Sequence, residues 1–334
     1  MDNSVEFLPG LRIGHAQDED ALTGCTVVLC EEGAVAGMDQ RGGASGTRQT
    51  DSLHPGRLVE QVHGVVLSGG SAFGLDTASG AVRYLEEKGV GLDVRVARIP
   101  ILPTAILFDL GLGKSNARPG PEMGYQACLN AHPGWPAEGC VGAGTGATVG
   151  KINGIEFAMK SGIGCSRLEV GAGLIVCAVV AVNAFGDIID PVNGEIIAGA
   201  RRRSPTDSKT GVQGGDGQEI YADSLEVMRT LIGRTAMGFA SRENTVIGVV
   251  ATNAQLNKEQ INKVAQMAHD GLARTVRPAH TMLDGDTIFA LSIGSVLADV
   301  NIVGAYAAEA FAQAVLRAVR HATSAGGLPA VSSL

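Results

Sequence analysis

Short apolar runs alternate along this chain with longer segments of helical periodicity. The short runs are rich in β-branched residues and flanked by glycine or polar residues, which is typical of buried strands. They predict strands at 25–30, 64–69, 173–182, 245–252 and 286–294. The helical patterns predict helices at about 73–88, 121–130, 218–232, 257–272 and 300–323. Strands mixed with helices, without a repeat of fixed period, indicate an α/β or layered α+β fold in a single domain spanning 1–334.

Two of the predicted helices carry clear end signals. Asn257 can cap the fourth helix with Gln260 at its third position, and Gly326 and Gly327 follow the last helix. The expected buried stripes are Ile261, Val264, Met267 and Leu272 in the fourth helix, and Ile302, Tyr306, Phe311, Val315 and Val319 in the last. Residues 201–217 are rich in Ser, Pro, Gly and charge, which predicts an exposed loop.

Composition and charge narrow the class of protein. Of 334 residues, 45% are hydrophobic and 18% are charged, which is too apolar for a disordered chain. The net charge of -8, with one short basic cluster at 201–203, argues against nucleic-acid binding. The uncharged stretch 170–186 has 17 residues and three glycines, so it predicts a buried strand and no membrane span. The polar N-terminus predicts no secretory signal.

The six cysteines and seven histidines form no metal-binding pattern. No cysteine pair has C-x-x-C spacing, and several cysteines lie inside apolar runs. Buried thiols of this kind are typical of a reducing compartment, so we expect a cytoplasmic protein without a metal or organic cofactor. With 47 glycines and 4% aromatic residues, the core should consist of Ala, Val, Ile and Leu with many tight turns.

Two glycine-rich segments invite comparison with known loops. SGGSAFGLD (68–76) lacks the dinucleotide-binding pattern, and Phe73 replaces the final glycine of a nucleophile elbow. Periodicity favours a tight turn in which Ser71 caps a helix. GAGTGATVGK is not a phosphate-binding loop, because Thr145 replaces its first glycine and Ile152 its Ser or Thr. Lys151 could still present a cation to an active site.

Two junctions place polar side chains at the start of core strands. In SRENTVIGVVATN a polar stretch ends at Asn244, and Thr245 begins a strand that should be buried on both faces. A hydroxyl there needs a partner, although Thr also favours strand starts for local reasons. In HTMLDGDTIFAL, Asp284 and Asp286 form either a simple turn or a carboxylate pair suited to acid–base work.

Together these motifs resemble the DmpA-type aminopeptidases, a family that includes L-aminopeptidase/D-amidases, β-peptidyl aminopeptidases and nylon-oligomer hydrolases. The resemblance spans most of the chain, and its motifs are GGASGTRQTD, GVVLSGGSAFGLDTASG, PTAILFDLG, GAGTGATVGK, ENTVIGVVATN and HTMLDGDTIFAL. It implies the architecture of N-terminal-nucleophile hydrolases, with two β-layers between helical layers (αββα). It also implies that the precursor cleaves itself between Asn244 and Thr245 into fragments 1–244 and 245–334, which stay associated.

The resemblance also implies catalytic roles around the cleavage site. Thr245 is the expected nucleophile, and its freed α-amine, with an unperturbed pKa near 7.7–8.0, is the expected base. Asp284 and Asp286 are expected to orient Thr245 and to hold the substrate amine.

Four further residues follow from the same motif match. Asn183 is expected to stabilise the oxyanion, and Lys151 to lower the pKa of the nucleophile. Phe108 stands where relatives have Tyr, so the hydrogen bond of a phenol is lost there. Ser71 is a weaker candidate for the substrate pocket.

The activity implied is hydrolysis of small peptides or short amides by a homo-oligomer, a tetramer of processed units, without a cofactor. Two alternatives stay open on the residues alone. An acyltransferase of the ornithine acetyltransferase type would use the same Thr nucleophile and pass the acyl group to an amine. An unprocessed protein could instead bind a small anionic ligand with its glycine-rich loops.

Overall fold

The computed structural model describes residues 6–202, 220–230 and 244–334. Its strands are β1 (Arg12–Asp18), β2 (Thr23–Gln40), β3 (Thr47–Arg48), β4 (Val62–Ser68), β5 (Leu92–Asp93), β6 (Arg98–Ile99), β7 (Thr104–Ile106), β8 (Thr148–Val149), β9 (Met159–Lys160), β10 (Ile163–Gly171), β11 (Leu174–Asn183), β12 (Asp187–Ile189), β13 (Ile196–Ala198), β14 (Thr245–Ala254), β15 (Val276–Arg277) and β16 (Thr287–Val296). Its α-helices are α1 (Thr77–Glu87), α2 (Pro121–Leu129), α3 (Ser224–Arg229), α4 (Lys258–Thr275) and α5 (Val300–Arg320).

The main sheet of the described residues has nine strands and folds into two layers at β2. Its order is β10-β11-β14-β16-β2-β4-β7-β3, with β1 also paired to β2. The first half of β2 pairs with β1 and β4, and its last residues pair with β16. Helices α1 and α2 pack on one layer, and α4 and α5 pack on the other. The apolar faces between the two layers form a further core, which gives the predicted αββα arrangement.

Strand β14 is buried on both faces because it lies between a helical layer and the second sheet. Alternate side chains therefore join different cores, with Val246 under the helices and Ile247 facing the other sheet. Gly248 faces the helices, and a Cβ there would lie 2.7 Å from the ring of Phe311. Only glycine lets α5 approach the strand this closely.

The same alternation decides which side of the sheet Thr245 occupies. Thr245 precedes Ile247 by two positions, so both side chains lie on the side between the two β-layers. Asn183, the last residue of β11, is the register partner of Thr245. The two residues therefore meet at one end of the inter-sheet layer, where the strand sequence predicted a polar partner for the hydroxyl.

The fourth predicted helix is confirmed as α4. The Gln260 amide donates to Asn257 Oδ1 at 2.9 Å, and the Asn257 amide donates to Gln260 Oε1 at 3.0 Å. These two bonds form the predicted capping box. The helix continues to Thr275, three residues beyond the last position of the predicted stripe.

The prediction for the last helix is wrong in part. Helix α5 ends at Arg320, before the glycine pair, and Ile302 and Tyr306 are 47% and 42% exposed. Phe311, Val315 and Val319 are buried as predicted, and alanines complete the buried face. The two helices cross closely, because a Cβ on Gly271 of α4 would lie 2.0 Å from the Ala308 carbonyl oxygen. A face of small residues is invisible to a search for bulky apolar side chains.

Two further helix predictions need correction. The first predicted helix begins as a 3₁₀ turn at Ser71–Asp76 and becomes α-helical only at Thr77–Glu87. Ser71 is thus the first residue of that turn, and no side-chain bond caps it. The helix predicted at 218–232 is α3, Ser224–Arg229, which is capped by Asp223; residues 218, 219, 231 and 232 lie outside the described residues.

The predicted loop at 201–217 lies outside the described residues except for its first two positions. Arg201 is half-buried, and its guanidinium donates to the Glu156 carbonyl at 2.6 Å. The uncharged stretch at 170–186 contains the buried strand β11, as predicted. All six cysteines are free, and five of them are buried. Helix α5 is long and apolar enough to cross a bilayer, but most of that stretch is buried in the protein.

Candidate active site

Thr245 lies against the carbonyl group of the residue before it. It is the first residue of β14, is 4% exposed, and its hydroxyl donates to the Asn244 carbonyl oxygen. The structure describes the uncleaved chain. The attacking oxygen of the predicted self-cleavage is therefore next to the bond that it is expected to break.

A second donor reaches the same carbonyl oxygen. The amide of Gly285 donates to Asn244 O at 3.0 Å, and Asn244 forms an isolated parallel bridge with Asp284. A backbone N–H aimed at a carbonyl oxygen stabilises the negative charge that develops there during attack. The D-G-D turn thus supplies an oxyanion donor from its central glycine.

Position 285 has room only for glycine. A Cβ there would lie 2.3 Å from the Ala44 carbonyl oxygen and 2.9 Å from Thr245 Oγ. Both distances are shorter than real side chains make. The glycine therefore lets the loop that carries the aspartates lie directly against Thr245.

The two aspartates hold the backbone on either side of this junction. Asp286 Oδ1 accepts the Val246 amide at 2.9 Å, and Asp286 Oδ2 accepts both the Nδ1 of His280, at 2.8 Å, and the His280 amide. Asp284 Oδ2 accepts the Thr281 hydroxyl at 2.6 Å and the Thr281 amide at 2.9 Å. The predicted pair is thus brought to the Asn244–Thr245 junction, with each carboxylate fixed by its own partners.

Burial raises the pKa of Asp284 to about 6, and the neighbouring Asp286 adds to the shift. The hydrogen bonds from Thr281 and the charge of Lys151 act in the opposite direction. A carboxylate with a raised pKa accepts a proton more readily near neutral pH. Asp284 is therefore suited to proton transfer near neutral pH.

Lys151 and Asn183 form the other side of the site. Lys151 Nζ donates to Asn183 Oδ1 at 2.7 Å and to the Asn183 carbonyl at 3.2 Å. Asn183 Oδ1 also accepts the Thr148 amide at 3.1 Å, and its Nδ2 donates to the Phe108 carbonyl at 2.8 Å. These bonds fix the ammonium of Lys151 on Asn183, which is the register partner of Thr245. The oxyanion role of Asn183 stays a prediction, since its Nδ2 is engaged by the Phe108 carbonyl in the uncleaved chain.

Phe108 and Ser71 lie at the edge of this group. Phe108 lines a small recess together with Lys151, Thr148 and Asp109, and its role in a substrate pocket stays a prediction. The Ser71 amide donates to the Leu107 carbonyl at 3.0 Å, and its backbone has a φ of +55°. Among the described residues no hydrogen bond joins Ser71 to Thr245, so its pocket role stays a prediction.

Some residues of the site were missed by sequence reasoning. Asp109 is buried, and its carboxylate accepts the Thr23 hydroxyl at 2.6 Å and the Gly70 amide at 2.7 Å. It therefore fixes the glycine turn at 68–76 beside Phe108. Asp109, His280 and Thr281 all lie inside motifs that carry the resemblance, but their spacing alone does not predict these contacts.

A cavity of about 580 Å³ lies elsewhere, between the end of β2 and α4, and is lined in part by Asp39, His54 and Lys263. Neither Thr245 nor the aspartate pair lines it. In the described parts of the chain no group of three or more His, Cys, Asp or Glu side chains could hold a metal ion.

Comparison with known proteins decides the family. The model of peptidase family S58 matches residues 3–331. The chain belongs to peptidase family S58. This peptidase is therefore a hydrolase, and the predicted resemblance to DmpA-type aminopeptidases is confirmed.

Individual relatives agree with this assignment. The peptidase is 39% identical to an uncharacterized aminopeptidase of Mycobacterium bovis, over 98% of this chain and 96% of that protein. It is 29% identical to a 6-aminohexanoate-oligomer endohydrolase of a Kocuria species, over 93% and 84% of the two chains. These names favour an aminopeptidase or amidase over the acyltransferase alternative.

Solved structures confirm the fold. A β-aminopeptidase of a Burkholderia species has a TM-score of 0.66 at 18% identity, covering 98% of this chain and 90% of the other. The L-aminopeptidase D-Ala-esterase/amidase of Ochrobactrum anthropi has a TM-score of 0.66 at 17% identity, covering 94% and 85%. The latter is described as a variant of the Ntn hydrolase fold, which agrees with the αββα layers.

Proposed function

We propose that this peptidase cleaves its own Asn244–Thr245 bond and then hydrolyses short amides with Thr245 as the nucleophile. The observation that carries the proposal is the Asn244 carbonyl oxygen, which accepts both the Thr245 hydroxyl and the Gly285 amide. Intramolecular attack needs no bound substrate, which fits the burial of Thr245 in the uncleaved chain.

Self-cleavage follows as an N-to-O acyl shift. Thr245 Oγ attacks the Asn244 carbonyl carbon while Gly285 N–H holds the oxyanion and Asp284 accepts the hydroxyl proton. The C–N bond breaks, and the proton passes to the Thr245 nitrogen, which becomes a free amine. Water then hydrolyses the ester, which leaves a carboxylate on Asn244 and restores the Thr245 hydroxyl.

The processed enzyme would use the same groups on substrate. The Thr245 amine takes the proton from its own hydroxyl, Oγ attacks the substrate carbonyl, and the amine product leaves with that proton. Lys151, fixed by Asn183, favours the neutral amine by its charge. Water then releases the acyl group from Thr245.

The substrate should carry a free amine. Two buried carboxylates beside Thr245 would hold an ammonium group. We therefore propose aminoacyl, β-aminoacyl and short ω-aminoacyl amides as the substrate class. Anilides of these acids should be hydrolysed, whereas the same anilides with an N-acetylated amine should not; equal rates on both would contradict the ammonium site.

The nucleophile is tested with a pair of variants. Thr245→Ala should give one uncleaved chain without amidase activity, because it has no hydroxyl. Thr245→Ser keeps a hydroxyl at the same position and should be cleaved. Hydrolysis by Thr245→Ala at the rate of the wild type would exclude the proposed role.

Assembly and location complete the proposal. We propose a homo-oligomer, a tetramer of processed units, in a reducing cytoplasmic compartment. Six free cysteines, five of them buried, are compatible with reducing surroundings. Light scattering of the purified enzyme and fractionation of the source cells test the two parts separately.

A further inference from the structure

His280 contacts Asp286, the aspartate directly before the first residue of β16. Its Nδ1 lies 2.8 Å from Asp286 Oδ2, and its backbone amide donates to the same oxygen at 3.2 Å. The other carboxylate oxygen, Asp286 Oδ1, accepts the amide of Val246, the residue after the nucleophile. One carboxylate thus connects His280 with the backbone of the cleavage junction.

The backbone of His280 is in an unusual conformation. Its φ is +58°, in the left-handed region that few non-glycine residues adopt, although Asn, Asp and His do so more often than the others. Such conformations persist where the surrounding contacts require them, and they concentrate at functional sites. Here the conformation directs both the amide and the ring of one residue at one carboxylate oxygen.

A second histidine supports the ring. His269 of α4 is fully buried, its ring packs edge-on against His280 at a centroid distance of 4.8 Å, and its Nε2 donates to the Asp39 carbonyl at 3.1 Å. Burial lowers the pKa of His269 to about 4, so this ring is neutral at physiological pH. It limits the movement of His280 by packing.

The Nε2 atom of His280 has no hydrogen-bond partner among the described residues. Within the described residues, the hydrogen bond to Asp286 is therefore the one that the His280 ring makes. The charged and titratable groups around it are Asp286 and Asp284 of its own loop, His269 of α4, and Asp39 and Arg41 at the end of β2.

We propose that His280 is a positioning residue that holds Asp286 in the orientation that clamps Val246 N–H, and so aligns Thr245 for attack. This inference rests on the proposed function. His280 is assigned no contact with the reacting atoms, so its role is exerted through Asp286. On this proposal, position 280 must donate a hydrogen bond to Asp286. The reaction does not require an imidazole there that gains or loses a proton.

Two variants of equal shape separate these roles. Both Asn and Asp tolerate a left-handed φ, and the amide nitrogen of Asn occupies nearly the place of Nδ1. His280→Asn can donate to Asp286, whereas His280→Asp cannot and repels it. His54→Asn, at an exposed histidine, is the matched control.

The measurement is the rate of self-cleavage of the full chain during cell-free synthesis, followed by the pH profile of amide hydrolysis. We expect His280→Asn to stay within a few-fold of the wild type with an unchanged pH profile. His280→Asp should slow cleavage about 10- to 100-fold, the range for a lost hydrogen bond to a charged group.

Two results would overturn the inference. Cleavage of His280→Asp at the rate of the wild type would show that Asp286 needs no donor there. Loss of activity in His280→Asn with a changed pH profile would show that the ring acts as an acid or base. If His280→Asp does not fold, His280→Ala, which removes the side-chain donor without adding a charge, takes its place under the same criteria. Failure of the proposed function would appear separately, as cleavage of Thr245→Ala.

Discussion

Gly285 lies so close to Ala44 and Thr245 that adding a methyl group there gives a specific structural prediction. In Gly285→Ala the new methyl carbon would lie 2.3 Å from the Ala44 carbonyl oxygen and 2.9 Å from Thr245 Oγ. The first of these is a backbone atom, which cannot turn aside like a flexible side chain. The loop that carries the aspartates must therefore move away from Thr245.

Movement of this loop has two measurable consequences. The Gly285 amide, now 3.0 Å from the Asn244 carbonyl oxygen, is removed from that oxygen. Loss of one oxyanion donor typically slows a reaction about 10²- to 10³-fold. Overpacking of this kind also costs about 1–3 kcal/mol of stability. We therefore expect self-cleavage to be slowed at least about 100-fold while the chain still folds.

The assay is a time course of cell-free synthesis on denaturing gels, with thermal melting as a check of folding. Gly120→Ala is the control, because a Cβ there meets nothing within 4 Å and its φ of -137° suits alanine. Gly120→Ala should be cleaved like the wild type. If a folded Gly285→Ala chain is cleaved equally fast, the Gly285 amide is not the oxyanion donor and this part of the account is refuted.

Three further variants test the charges of the site and its support. Since the folded-state pKa of Asp284 is raised to about 6, its ionisation opposes folding as pH rises from about 4 to 6. In a Thr245→Ala chain, Asp284→Asn should therefore raise the melting temperature at pH 7.5 and lose that gain at pH 4. An equal effect on the melting temperature at both pH values would contradict the raised pKa. Lys151→Met should slow hydrolysis about 10- to 100-fold, because it removes the cation beside Asn183. Lys263→Met, at an exposed lysine, is the control and should not slow it. Equal hydrolysis rates of the two variants would exclude the role of Lys151. Asp187→Ala should destabilise the chain by about 1–3 kcal/mol, because the Asp187 carboxylate accepts the amide and hydroxyl of Ser224 and the amide of Ala200. Asp270→Ala, at an exposed aspartate, is the control, and equal melting temperatures of the two variants would contradict this prediction.

Local sequence was sufficient to predict features that depend on a single helix or strand. The capping box at Asn257 and the start of a doubly buried strand at Thr245 are both local patterns, and both are found in the structure. The αββα layers were predicted from the resemblance, since periodicity alone left two fold classes open. The strand predicted at 25–30 is part of an 18-residue strand that serves both layers, and its continuation through 31–40 is too polar to be recognised from alternation.

The contacts of the site depend on register and could not be predicted from spacing. Asn183 meets Thr245 because β11 and β14 pair with that register, and Gly285 meets the Asn244 carbonyl because the loop before β16 lies alongside. Neither of these two contacts can be predicted from the number of residues that separates the partners in the sequence. The role of His280 depends in addition on a positive φ, which a histidine in a sequence does not reveal.

The central claim is that the chain breaks before Thr245. Intact-mass measurement of the purified wild-type protein, followed by N-terminal sequencing of the smaller species, tests it most directly. We expect two fragments of roughly 25 and 9 kDa, at the mean residue mass of this 34.2 kDa chain, and the smaller one should begin Thr-Val-Ile-Gly. A single active species of 34.2 kDa, or a small fragment with any other first residue, would contradict it.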